Sequence, residues 1–207
     1  MHPNPIFRKS NEVANTAFAQ KRGFGTLALN AEPAPVLAHI PFVIDAAKQI
    51  VDFHLMRSNP IVRQYSGLSP AVISTMGPDS YISPDWYEVQ DQVPTWNYVA
   101  VHIRGSITKL PESELGGILD RLSENFEERL EPKPVWTSSK MDPTTLGKMM
   151  RMIVPFRLNI SEIDGTWKLG QNKPENARRA AATKVSSDGI GLETQALAAL
   201  MLDPPKV

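Results

Sequence analysis

Residues 25–107 are cut by turn residues into short runs rich in β-branched and aromatic side chains, and this constrains the fold more than any other feature. The runs are 26–30, 36–44, 49–55, 71–76 and 95–107. Parallel neighbours need a crossover of a dozen or more residues, usually a helix, and the closely spaced early runs leave no room for one. An antiparallel sheet is predicted. Helical spacing begins only at 112–130, where Leu115, Ile118, Leu119, Leu122, Phe126 and Leu130 form one apolar stripe between charges. Asp142 before Pro143 is an N-cap signal, and Leu146, Met149, Met150 and Ile153 extend a second helix over 142–153. Strand character returns at Phe156, Leu158 and Ile160. Asp164-Gly165 then predicts a tight hairpin into Trp167. The alanine-rich segments 174–184 and 192–202 predict two final helices, stopped by Asp203-Pro204-Pro205.

Strands interrupted by helices without βαβ alternation give a mainly β, α+β chain: a small antiparallel barrel with flanking helices. With 207 residues, one substantial core is the expectation. The barrel domain is placed at 1–173, including both middle helices, with a helical tail over 174–207.

Lys+Arg and Asp+Glu both total 22, so no global field draws the chain to nucleic acid or an anionic membrane. There is no cysteine, which excludes disulfides, thiolate nucleophiles and thiolate-ligated metals and agrees with a reducing cytoplasm. No apolar run nears the roughly 20 residues of a membrane span, and the start lacks a basic segment followed by an apolar core. A cytoplasmic protein without a membrane anchor is expected.

Five of the eight tyrosines and tryptophans, Tyr81, Trp86, Tyr87, Trp96 and Tyr98, fall within one short stretch. Buried Tyr and Trp need hydrogen-bond partners, so such density suits a wall for a flat partner, a subunit interface or simply the core of a small barrel. Pro84 and Pro94 fix the backbone beside these rings. By period two, Thr95, Asn97, Val99, Val101 and Ile103 share one face of the strand, and Trp96, Tyr98, Ala100, His102 and Arg104 the other.

Neither a Walker-type nor a dinucleotide-type glycine loop occurs. His39, His54 and His102 sit in strand-like runs with no i, i+4 pair or carboxylate spacing, so no metal site is expected. Arg57, Ser58 and Asn59, at a strand exit, combine a guanidinium, a hydroxyl and an amide able to converge on one anion. Lys168-Leu-Gly-Gln-Asn-Lys173 supplies a second group of donors. Over 167–184 five basic residues face the single acid Glu175, the only basic cluster that could serve DNA.

Gly77-Pro-Asp-Ser-Tyr-Ile-Ser-Pro-Asp-Trp-Tyr87, Val93-Pro-Thr-Trp-Asn-Tyr-Val-Ala-Val-His102, His54 with Asn59-Pro60, and Lys168-Leu-Gly-Gln-Asn172 together resemble the PaiB-type family. The likeness runs from about residue 7 to 173, and the motifs stand in the family's order. It implies an FMN-binding split β-barrel, related to pyridoxamine-phosphate oxidases and flavin reductases, and a homodimer with flavin between subunits. It also implies a negative transcriptional regulator. The alternatives are a flavin-dependent oxidoreductase acting on a small molecule, or a haem-binding split barrel using one of the strand histidines. The implied flavin residues are His39, His54, Arg57, Ser58, Asn59, Trp96, Asn97, Lys168, Gln171 and Asn172, with the phosphate near 57–59 and the late strand closing over the cofactor. The chain departs from the pattern at Phe53 where the family has glycine, at Val62 where tryptophan is frequent, and at Gly170 and Lys173 where serine and arginine are usual.

Overall fold

The structure, a computed structural model, describes residues 1–205. Its strands are β1 (Phe24–Leu29), β2 (Val36–Asp45), β3 (Ile50–Met56), β4 (Ser69–Ile82), β5 (Thr95–Lys109) and β6 (Ile153–Lys168). Its helices are α1 (Glu12–Arg22), α2 (Pro60–Gln64), α3 (Leu115–Glu127), α4 (Pro143–Met150), α5 (Glu175–Asp188) and α6 (Thr194–Leu202). The strands close an antiparallel barrel in the order β1-β2-β3-β6-β5-β4. Contacts divide the chain into two compact units: Ala19–Ser74 with Ile103–Glu162, and Met1–Phe18 with Thr75–His102 and the chain from Ile163 onward.

In the first unit β1 and β2 pair from Phe24↔Pro41 to Leu29↔Val36, β2 meets β3 at Phe42↔Phe53, and β3 meets β6 from Ile50↔Asn159 to Met56↔Ile153. Phe53 and its partner Phe156 are fully buried and stack at 5.9 Å with 12° between their planes, while Tyr65 meets Phe156 edge-on at 5.3 Å. Helix α3 follows the predicted stripe, burying Leu115, Ile118 and Leu122. Helix α4 starts where the Asp142 signal placed it: the carboxylate accepts from the Thr145 N–H at 2.8 Å, and Pro143 stands at the first turn.

The second unit has its own core, in which Ile82, Tyr87, Val99, Trp167 and Leu169 pack with Ala177, Ala181, Ala182 and Val185 of α5 and Leu197, Ala198 and Met201 of α6. The alanines recur at i and i+4, so the stripe is narrow enough for close approach. Arg178 donates to the Met201 carbonyl and, at 3.3 Å, to that of Leu202, occupying orphan acceptors at the end of α6.

The structure corrects the hairpin expected at Asp164-Gly165, because β6 runs unbroken from Ile153 to Lys168. Gly165 is there to admit a neighbour. A Cβ at this position would overlap the Asn15 side chain, with Cγ at 2.7 Å, and Asn15 Oδ1 accepts from Trp167 Nε1 at 2.9 Å and from Ser10 at 2.9 Å. β4 likewise runs past its expected end at Met76 through Gly77 and Pro78 to Ile82, and Gly77 is again a clearance, since a Cβ there would sit 2.5 Å from the Phe18 ring. Helix α1 was not anticipated from the sequence, although Asn11 accepts from the Ala14 N–H at 2.8 Å and the helix has Glu12 in its first turn and Lys21 and Arg22 in its last.

Candidate functional site

The aromatic cluster belongs to the second unit, and its rings have separate fates. Tyr87 is buried in the core and Trp86 packs against it, whereas Trp96 is 48% exposed and meets Tyr81 edge-to-face at 6.4 Å. The period-two assignment of β5 holds: Asn97, Val99, Val101 and Ile103 are all buried. Asn97 is turned into the core, where its amide lies 3.5 Å from the Met201 sulfur.

At the end of β6 in this unit two lysines approach each other. Lys168 Nζ donates to Thr95 Oγ1 and Lys173 Nζ to Gln92 Oε1, both at 2.5 Å. Each ammonium also lies over an aromatic ring, Lys168 at 5.9 Å from Phe7 and Lys173 at 5.1 Å from Tyr87. Burial holds the Lys168 pKa below its ordinary value, and the positive charge of Lys173 adds to this. His2 is lowered by burial, then by Lys168 and the N-terminal amine. Among the described residues no carboxylate pairs with either lysine, so positive potential gathers here. The loop between them is fixed internally: the Leu169 N–H donates to Gln171 Oε1 at 2.8 Å, Gln171 Nε2 donates to the Trp167 carbonyl at 2.5 Å, and Gly170 takes φ 83°. Asn172 is exposed beside it. Lys173 closes the donor segment read from the sequence but was not among the flavin residues that the resemblance implies, and Thr95 and Gln92, which hold the two lysines, were not anticipated. The spacing Lys-x4-Lys around a Gly turn was the available signal for the second lysine.

The other proposed donors lie in the first unit. Arg57 at the exit of β3 is already engaged: Nε donates to the Arg151 carbonyl at 2.6 Å, and Nη2 pairs with Glu112 at 2.5 Å, which holds that carboxyl below its usual range. Ser58 is exposed. Asn59 caps α2, its Oδ1 accepting from the Ile61 N–H at 2.9 Å. His39, exposed on β2, shares a 3.1 Å hydrogen bond with Thr26. His54 on β3 is half-buried, with Nδ1 shielded from solvent and without a hydrogen-bond partner. Thus 57–59 follow His54 along one chain segment, while His39 is occupied on the neighbouring strand pair.

Burial also pushes the His54 pKa down. Above the ordinary histidine value near 6.5, folded and unfolded chains are both neutral here. As pH falls below it, the unfolded chain takes the proton first and folding stability drops. Urea unfolding at stepped pH is expected to show this loss, and His54→Gln to reduce it. An identical pH slope in the variant would contradict the assignment.

Among the described residues no helix is long and apolar enough to cross a membrane, and no group of three His, Cys, Asp or Glu side chains could hold a metal ion. Comparison with known proteins gives a family model, "Putative FMN-binding domain", that matches residues 1–162. The chain is 29% identical over 177 residues to the protease synthase and sporulation protein PAI 2 of Bacillus subtilis, covering 84% of each chain. Its fold is similar to that of the FAD- and haem-binding protein of Mycobacterium smegmatis, with a TM-score of 0.58 at 16% identity over 89% of this chain and 82% of that one. It is also similar to the flavocytochrome Anf3 of Azotobacter vinelandii, at 0.56 and 12% over 81% and 72%. The closed antiparallel barrel and the match over residues 1–162 agree, and the chain belongs to the PaiB-type family of FMN-binding-domain split barrels.

Proposed function

We propose that this protein binds FMN and that Lys168 and Lys173 hold its phosphate. The observation that carries the reading is the pair of neighbouring ammonium groups, Lys168 partly desolvated, with no carboxylate partner among the described residues. A flavin phosphate brings up to about two negative charges, which suits two lysines. Bound flavin would supply hydride or electron chemistry of its own, and the chain's part would be to position it. Arg57 is spent on Glu112 and Arg151, so it offers less to a phosphate than the lysines do.

Lys168→Ala is expected to weaken FMN binding by about 1.5–3 kcal/mol, the range for a hydrogen bond to a charged group, and Arg57→Ala by clearly less. Calorimetric titration of both variants separates the two placements. Absence of FMN binding to the wild type, or unchanged affinity in Lys168→Ala, would defeat the proposal.

A homodimer is part of the same reading. In the second unit Tyr81 meets Trp96 and bridges to Ile190, and Trp96, Val93, Ile190 and Leu192 expose apolar surface of the kind that subunit contacts cover. Light scattering at micromolar concentration is expected to give twice the chain mass, and a monodisperse monomer would refute it. Kinship with the PaiB type supports a regulatory role in the cytoplasm, with flavin occupancy as the signal. The balanced charge speaks for action through a partner in preference to tight DNA binding by this chain.

A further inference from the structure

Asp52 is an acid on a strand otherwise built of apolar residues and one histidine, and its side chain is only 4% exposed. Its two oxygens accept three hydrogen bonds. Arg157, its cross-strand partner on β6, binds it side-on through Nε at 2.7 Å and Nη2 at 3.0 Å, and Arg121 of α3 adds Nη2 at 2.7 Å. One carboxylate therefore fixes two guanidinium groups, leaving an excess of one positive charge at a partly buried position.

Both arginines line a cavity of about 630 Å³, bounded also by Val43, Ile44, Ile50 and the β2–β3 turn. That is the size of small-molecule sites. Arg157 has spent only one edge of its guanidinium, so Nη1 and the second hydrogen of Nη2 remain as donors, and Arg121 keeps Nε and Nη1. Of the acids lining the cavity, Asp45 is paired with Lys48 at 3.0 Å, and Glu114 stands exposed at the start of α3. The Asp52 triad is thus net positive by one charge and preset, while Glu114 and Asp45, both near enough to act on Arg157, disfavour a second negative group.

We propose that this cavity is a binding site for the single oxyanion group, carboxylate or phosphate, of a small molecule, gripped by Arg121 and Arg157. An ion triad that served only to fasten α3 to the barrel would gain nothing from an open cavity over its unused donors. Held this way, a ligand would bridge α3 and β6 within one unit and is independent of the flavin reading.

The test is 15N NMR of the arginine side chains in the full-length protein with saturating FMN, titrated separately with acetate, inorganic phosphate and citrate. Saturable shifts of the Arg121 and Arg157 Nε–H signals are expected with acetate or phosphate, the more effective of the two naming the ligand group, and citrate should bind no tighter. Arg121→Gln leaves the bidentate Asp52–Arg157 pair in place and should weaken binding about tenfold or more. Arg121→Lys, which keeps the charge but not the planar fork, should recover only part of it. Lys168→Ala should leave these shifts unchanged. No saturable shift with any probe at millimolar concentration, equal affinity in Arg121→Gln, or loss in Lys168→Ala would overturn the proposal.

Discussion

Phe53→Ala is expected to lower the free energy of unfolding by about 3–5 kcal/mol, the range for truncating a large aromatic in a core. Phe53 is fully exchanged for core contacts: it has no exposed surface, stacks on Phe156 across the β3–β6 pair, and lies beside a ring that Tyr65 braces from its edge. Removing the ring leaves a void walled by aromatic faces that cannot close without moving two strands. Urea unfolding followed by tryptophan fluorescence measures the change, and a loss under about 1 kcal/mol would show that the neighbours collapse into the space. The position is informative because the PaiB-type pattern has glycine there. With Phe53 packed into the core, its truncation should damage stability more than flavin affinity, and the two effects are separable by titrating FMN into the folded variant.

Gly165→Ala should cost about 2–4 kcal/mol, combining overpacking with the disturbance of buried hydrogen bonds. The added methyl would enter the space of the Asn15 side chain, which is buried and accepts from both Trp167 and Ser10. Asn15 could yield only by giving up the Trp167 indole N–H. The double variant Asn15→Ala with Gly165→Ala tests the mechanism, since the second change should add little once the amide is gone. Full additivity of the two losses would place the strain elsewhere.

The strand periodicities, the α3 stripe and the Asp142-Pro143 cap were legible because each depends on neighbours within a few residues along the chain. Asp164-Gly165 misled for the opposite reason. Its glycine answers to Asn15, about 150 positions away, and a side chain that passes over a strand leaves the same letter in the sequence as a turn does. Gly77 and the ring of Phe18 repeat the case.

The candidate site divides in the same way. Residue chemistry alone marked Arg57, Asn59 and Lys168 as donors, but it could not show how far each was already committed. Arg57 proved to be paired with Glu112, and Asn59 to be capping α2. Lys168 stands beside Lys173 without a carboxylate among the described residues. By itself the sequence determined the class of fold, the antiparallel pattern and the family, since local periodicity and ordered motifs are properties of the chain. Only the tertiary structure decided which charges are satisfied, which glycines are clearances, and that Asp52 gathers two arginines over a cavity, because a charge is neutralised by whatever folding brings within about 4 Å of it, at any separation in sequence.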